Sequence, residues 1–307
     1  MTKVYLKKNT IRGAWDFIHR GYHEAWKSLG YEVIEYLSLK DIPPDETDHY
    51  LMIRDWDISG EHDISALNRA KKAFLFAQPN TFPMPWGSHP NFVSHCPDML
   101  INKINQMKNV YLWSFGGIPE EFSKQHFFKW KPIHKILLAF DSIGYKPIQD
   151  KSYNYDVCFV GGWANNGFDE KRKIMLEQFS YFKNSGLKCG FFINRGLNHQ
   201  QENALLYNSK VSINIHDAYQ RKFGFDTNER TFKSLGLTGV LISDNIKQIG
   251  DTFSFVEMSN SPPEMVELAK QYINMTDDKL NELKITNRNL ILKEHTYVNR
   301  VKQLIGL

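Results

Sequence analysis

Short apolar runs alternate with amphipathic stretches of helix length along this chain, and the alternation runs twice. Val4-Tyr5-Leu6 opens the first series. The stretch from Ala14 to Leu29 follows, with Trp15, Ile18, Tyr22, Ala25 and Trp26 at helical spacing. GYEVIEY, YLMIR, AFLFAQ, NVYLWSF and KILLAF then read as strands, separated by Asn- and Pro-rich loops, notably AQPNTFPMPWGSHP. DSIGYKPIQDKSYNYD breaks the pattern with Gly, Pro and polar residues and reads as a linker. The second series runs VCFVGG, a helix over 170–183, CGFFIN, a helix from His199 to Tyr207, VSINIH, a further helix, GVLISD and FSFVEM. From Pro263 onward the chain reads as helical, with a break near NMTDDK and a final segment from His295. Alternation of this kind predicts two α/β domains in tandem, with mostly parallel sheets and helices on both faces. The expected boundaries are 1–145 and 152–290, with 291–307 a closing helix able to pack back across the cleft between them. Ligands of such a fold bind at the carboxyl ends of the strands.

Composition narrows the class. A length of 307 residues fits two domains of about 150 residues each, and 42% hydrophobic with 23% charged residues describes a folded chain. No window approaches the ~18 apolar residues of a membrane span, and MTKVYLKKNT lacks a signal-peptide core. Cys96, Cys158 and Cys189 are widely spaced and odd in number, which points to a reducing compartment and away from a disulfide or zinc framework. The expectation is a soluble, cytoplasmic protein. Net charge of +4 and a pI near 8.7 suit anionic ligands. The lysines are scattered, so nucleic acid is a possible partner but not the favoured one.

GFDTNERTFKSLGLTGVLISD, Gly224 to Asp244, has the strongest local chemistry. Asp226 and Glu229 form a capping-box pattern that predicts a helix from Asp226 or Thr227, with Gly236 as its stop. The loop residues Gly224, Phe225, Asp226, Thr227, Asn228 and Thr231 surround a helix start whose free N–H groups suit a phosphate. Arg230 adds a charge-assisted fork; the plain alternative is an α/β turn with a surface arginine. Earlier, Gly161-Gly162 ends a strand and permits close backbone approach, with Arg172 in the helix beyond. A solvated face is the competing reading of Arg172. Asn194 ends CGFFIN, and His216 ends VSINIH, where a structural histidine is the alternative.

In order along the chain stand Phe159-Val160-Gly161, the segment Tyr207 to Asn214, Arg230 with Phe232, Asp244, and His295-Thr296-Tyr297 with Arg300. This series resembles the C-terminal domain of GT-B glycosyltransferases, and most of all the CgeB-like (spore-maturation-protein-type) branch. The resemblance covers Tyr155 to Arg300; the first half is similar only through LGYEVIEY. It implies two facing Rossmann-like domains, the second binding an activated nucleotide-sugar donor. Arg230 and the helix start would then stabilise the departing diphosphate, with no cofactor and no metal. The sequence departs from the family at one point. Many retaining members carry two glutamates eight positions apart, where this chain has Phe225 and Lys233. Lysine cannot accept hydrogen bonds from ribose hydroxyls, which leaves nucleotide recognition and stereochemistry open.

A hydroxyl acceptor needs a base, and the first strand–helix region offers Asp16, His19 and His23. Asp16 is the preferred one, because its place near the helix start keeps it ionised. Asp55 and Asp57 form a D-x-D, the metal–nucleotide anchor of the other glycosyltransferase fold, GT-A, against which the second-half motifs argue. Two further readings stay open: a non-catalytic nucleotide-sugar-binding protein, and a glycosyltransferase acting on modified bases of DNA.

Overall fold

The computed structural model describes residues 1–10, 13–77, 96–116, 129–163 and 169–307. The expected loop AQPNTFPMPWGSHP lies, from Gln78 on, outside the described residues. The contacts divide the chain into two compact units, Met1–Leu137 with Tyr297–Leu307, and Leu138–Thr296.

Unit 1 is built on a sheet of order β2-β1-β3-β4-β5-β6, with every pairing parallel. Its strands are β1 (Lys3–Lys7), β2 (Glu32–Tyr36), β3 (His49–Arg54), β4 (Lys72–Phe76), β5 (Val110–Ser114) and β6 (Ile133–Lys135). Between them run helices α1 (Ala14–Ser28), α2 (Glu61–Arg69) and α3 (Asp98–Gln106). Every residue of β3 is buried, as expected of an inner parallel strand covered on both faces. Helix α1 buries Ile18, Tyr22, Ala25 and Trp26, one face of a 3.6-residue period. Gly21 on the same helix makes room for the closing helix of the chain. A Cβ there would lie 2.2 Å from the Tyr297 ring.

Unit 2 carries a second parallel sheet, order β11-β10-β9-β7-β8. Its strands are β7 (Val157–Gly161), β8 (Cys189–Ile193), β9 (Val211–Asn214), β10 (Leu241–Ser243) and β11 (Glu257–Met258). The helices are α4 (Asp169–Lys183), α5 (His199–Asn208), α6 (Ala218–Phe223), α7 (Glu229–Leu237), α8 (Lys247–Thr252), α9 (Pro262–Ile273) and α10 (Asp277–Glu294). The last helix, α11 (Tyr297–Ile305), belongs to unit 1. Val157, Phe159, Phe182, Val211, Ile213 and Ile242 form the centre of the unit 2 core.

Three local expectations change. KILLAF is not a strand: the chain leaves the sheet after Lys135, with Ile136 N–H to Ser114 O as the last rung. Its apolar residues are buried in passage, and Phe140 packs so closely on Gly236 that a Cβ there would lie 2.6 Å from the ring. Helix α7 starts at Glu229, not at Asp226 or Thr227, with Asn228 as its cap. Asp226 has φ +61°, a left-handed conformation incompatible with a helical first turn. The helix also runs through Gly236, and the glycine that follows its end is Gly239, at φ +82°.

Candidate active site

Each sheet reverses its winding once, between β1 and β3 in unit 1 and between β7 and β9 in unit 2. At such a switch point the connections leave in opposite directions and a crevice opens at the strand ends.

In unit 2 the crevice is spanned by Arg230, the second residue of α7. Its Nε donates to Val160 O at 2.6 Å, its Nη1 donates to Asn214 Oδ1 at 2.8 Å, and its guanidinium carbon lies 4.6 Å from the Phe159 ring centre. Burial lowers its pKa against the pull of Glu229 and Asp217, and an arginine so placed keeps its charge. Gly161 and Gly162 are what admit this arrangement. A Cβ on Gly161, itself at φ +147°, would sit 2.1 Å from Arg230 Nη2, and one on Gly162 would sit 1.7 Å from Asn194 Oδ1. Asn194, left-handed at φ +52°, donates its N–H to Gly161 O at 2.8 Å. The space left by the glycine pair is thus filled by Arg230 and Asn194.

Around Arg230 lies a buried polar lattice. His216, fully buried, places Nδ1 2.7 Å from Asp244 Oδ1 and Nε2 3.0 Å from Thr227 Oγ1, while its N–H donates to Asp244 Oδ2. Burial pushes the Asp244 carboxyl up, but the His216 contacts outweigh it and hold the group below the usual range. Asn214 Nδ2 donates to Thr231 Oγ1 and to Asn228 Oδ1. The loop amides do less than expected for an anion. Gly224, at φ +71°, ends α6, an element the sequence reading missed, and gives its N–H to Gln220 O. Thr227 N–H is taken by Gln248 Oε1 at 2.6 Å, and the Phe225 side chain is core. Arg172 is exposed, its guanidinium 5.5 Å from the centre of the Trp163 ring. Its neighbour Lys171 is buried and paired with Asp217 at 2.8 Å. Burial would raise the Asp217 pKa, but Lys171 brings it below the ordinary value. Sequence reasoning missed Lys171, Gln220 and Gln248, and only Lys171, beside Arg172, carried a signal.

Lys233 faces the interior of unit 2. Its ammonium contacts Glu202 and, at 2.9 Å, Glu229; Tyr145 OH donates to the other Glu202 oxygen at 3.1 Å. Burial opposes its charge, but the two carboxylates raise its pKa above the ordinary value.

The unit 1 switch point holds a cavity of about 440 Å³ of empty space, part of it open to solvent. Leu6 and Lys7 line it from β1, Ile53 and Arg54 from β3, Phe76 and Trp113 from β4 and β5, and Trp15, His19 and Tyr22 from α1. Arg54 forks onto Asp57, with Nε to Oδ2 at 2.7 Å and Nη2 to Oδ1 at 3.2 Å. Lys7 stands 3.7 Å from the same carboxylate. The three candidate bases separate here. Asp16 accepts from Gly13 N–H and from Asn9 Nδ2, one bond on each oxygen. His23 Nδ1 meets Glu24 at 2.8 Å. His19 lines the cavity, its Nε2 3.4 Å from Glu35, and burial lowers its pKa more than Glu35 raises it.

A protein-family model described as glycosyl transferase-like matches residues 150–306, more than half of the chain. The chain belongs to that family. Solved structures agree in fold. The DNA-modifying β-glucosyltransferase, studied with and without its substrate uridine diphosphoglucose, matches over 100% of both chains at 13% identity and a TM-score of 0.56. An α-glucosyltransferase in complex with UDP and a 13-mer DNA containing an HMU base matches over 100% of this chain and 99% of that one, at 10% identity and a TM-score of 0.54. The N-terminal domain of Candida albicans trehalose-6-phosphate phosphatase matches over 97% and 76%, at 8% identity and a TM-score of 0.50. No protein of curated function matches. This glycosyltransferase therefore has the GT-B fold, two parallel α/β sheets. Its D-x-D does not present a carboxylate pair: Asp57 is held by Arg54, and Asp55 is only 1% exposed. Among the described residues no cluster of three His, Cys, Asp or Glu side chains could hold a metal, and no helix is long and apolar enough to cross a membrane.

Proposed function

We propose that this glycosyltransferase moves a sugar from a nucleotide-sugar donor to a hydroxyl acceptor without a metal, within the CgeB-like branch. The observation that carries the donor side is Arg230 spanning the β7–β9 switch point. Its guanidinium is fixed by two strand ends and an aromatic face, so it needs no reorganisation when negative charge grows on the leaving diphosphate. The first-turn N–H groups of α7, apart from that of Thr231, which Asn228 caps, add to that field. Gly161, Gly162 and Asn194 seat the arginine, His216, Asp244 and the loop residues Gly224 to Thr231 hold the helix start, and exposed Arg172 meets the donor from α4.

For the acceptor, His19 is the better base. Asp16 spends one oxygen on Asn9 and the other on Gly13 at the start of α1, whereas His19 lines the unit 1 cavity with a ring held neutral near pH 7. A protein base acting on the acceptor goes with inversion of the anomeric centre. The free cysteines Cys96, Cys158 and Cys189 support a reducing, cytoplasmic setting. Nucleic acid is not favoured as acceptor, because the lysines are scattered along the chain and Arg54 at the cavity is engaged by Asp57.

Arg230→Lys tests the donor side, since it keeps the charge but loses the fork. Transfer should fall about 10²–10³-fold with the circular dichroism spectrum retained, and unchanged transfer would overturn the assignment. His19→Asn should cut transfer by about 10²–10⁴-fold at unchanged donor affinity. The wild-type rate should lose its acid limb only below pH 6.5, the ordinary histidine value. A retained anomeric configuration in the product, read by NMR, would remove His19 from the mechanism.

A further inference from the structure

We infer that the unit 1 cavity binds an uncharged, planar aromatic alcohol rather than a sugar or a sugar phosphate. The walls argue for it first. Trp15 makes edge contacts with Phe76 at 5.4 Å and with Trp56 at 6.0 Å, and Phe76 meets Trp113 at 4.9 Å. Trp15, Phe76 and Trp113, with Tyr22, Met52 and Ile53, make the cavity overwhelmingly apolar. Aromatic rings add stacking and edge-to-face attraction to the burial of such a surface.

The charges argue next. Lys7 and Arg54, the two cations of the lining, both face Asp57, which takes the Arg54 fork on both oxygens. A phosphate entering here would meet a single net positive charge, with the Asp57 carboxylate beside it and the Arg54 fork already taken.

The hydrogen-bonding groups complete the case. Two side chains of the lining carry a buried polar atom with no hydrogen-bond partner among the described residues, Tyr22 OH and Trp113 Nε1, while His19 Nε2 stands 3.4 Å from Glu35. Tyr22 is 2% exposed and Trp113 3%, so neither atom has solvent as its alternative. A buried polar group left unpaired costs about 1–3 kcal/mol, and an occupant supplying partners recovers that. The indole N–H can only donate, the phenol can donate or accept, and neutral His19 can accept. A ring with one hydroxyl and one acceptor atom satisfies this set. A sugar ring, bearing several hydroxyls, would bury most of them against tryptophan and phenylalanine without partners.

The inference rests on the transfer reading in one respect, that the hydroxyl bound here is the acceptor. In that step the hydroxyl oxygen attacks the anomeric carbon and the carbon–oxygen bond to the diphosphate breaks. The diphosphate leaves with the electron pair, and the hydroxyl proton passes to the His19 ring.

The test is binding by calorimetry of the full chain to 2-naphthol, benzyl alcohol, glucose and glucose 6-phosphate, followed by transfer from a nucleotide-sugar panel to whichever bind. The aromatic alcohols should bind at least tenfold more tightly than either sugar. Trp113→Phe, which keeps a ring but removes the N–H, and Trp15→Ala should each weaken 2-naphthol several-fold while leaving donor affinity unchanged. Equal or tighter binding of glucose or glucose 6-phosphate overturns the inference, as does failure of every aromatic probe to bind or insensitivity to both variants. Aromatic binding intact in a protein that binds no nucleotide sugar would instead refute the donor reading and leave the pocket assignment standing.

Discussion

Replacing Gly161 by alanine should disable the donor site through a single methyl group. That methyl would lie 2.1 Å from Arg230 Nη2, 2.7 Å from Cζ and 2.9 Å from Nε. Non-bonded contacts settle near ~3.5 Å, so the guanidinium must retreat by more than ~1 Å. It has little slack, because Nε is fixed on Val160 O and Nη1 on Asn214 Oδ1. Each of these bonds, made by a charged donor, contributes about 1.5–3 kcal/mol. Alanine at φ +147° adds backbone strain of about 1–3 kcal/mol. Even with one bond lost the cost is at least about 2.5 kcal/mol. At about 2–4 °C per kcal/mol this lowers the melting temperature by roughly 5–10 °C. Transfer should fall by about 10²-fold or more, since the displaced donor no longer faces the leaving group. Gly186→Ala is the control: φ is +82° there but nothing lies within 4 Å of the added methyl. It carries only the strain of about 1 kcal/mol and leaves activity unchanged. The assays are differential scanning fluorimetry, donor titration and initial rates on the three proteins. If Gly161→Ala matches Gly186→Ala in both stability and rate, the clash-based account of the site is wrong.

Lys233→Met should destabilise the chain by about 3–5 kcal/mol by leaving Glu202 and Glu229 buried without their cation. Adding Glu202→Gln should recover part of the loss, and a chemical denaturation series that shows neither effect would contradict the network. His49 is fully buried with neither ring nitrogen hydrogen-bonded among the described residues, and burial holds its pKa below 6.5. The unfolded chain therefore binds the proton more readily. Its contribution to stability is full above pH 6.5 and is lost as pH falls through the folded value; His49→Phe should flatten that acid limb in melts taken from pH 7 downward. Chelator should leave transfer unchanged, and activity lost in EDTA and restored by Mn²⁺ or Mg²⁺ would mean that a metal takes part.

The fold was legible because period carries it. Apolar runs such as YLMIR and VCFVGG announce inner strands, and the spacing of Ile18, Tyr22, Ala25 and Trp26 announces the face of α1. Where the reading slipped, a tertiary contact had overridden a local signal. KILLAF is apolar because Phe140 must fill the space over Gly236, and not because it joins a sheet. Gly236 is glycine to admit that ring, so its place inside a helix is a packing requirement that imitates a stop. Gly224 and Asp226 belong to a turn between two helices, and the short α6 before them has too few residues to show a period.

The site was legible in its parts and not in their use. Arg230 and Gly161 stood out in sequence, but they lie far apart along the chain, and only the parallel pairing of β7 with β9 brings the Val160 carbonyl and Asn214 side chain to one guanidinium. Lys233 shows the same logic in reverse. Its ammonium is turned inward and spent on Glu202 and Glu229. With the residue only 5% exposed, it cannot reach a ribose. The substitution is therefore compensated within the unit 2 interior: a carboxylate at 233 would be a third negative group beside two buried ones, whereas lysine supplies a cation in contact with both. The lysine thus ties down the first turn of the helix that carries Arg230, since Glu229 is the residue directly before the arginine. In the proposed function, nucleotide recognition comes from groups other than position 233, and Arg230 is the diphosphate anchor.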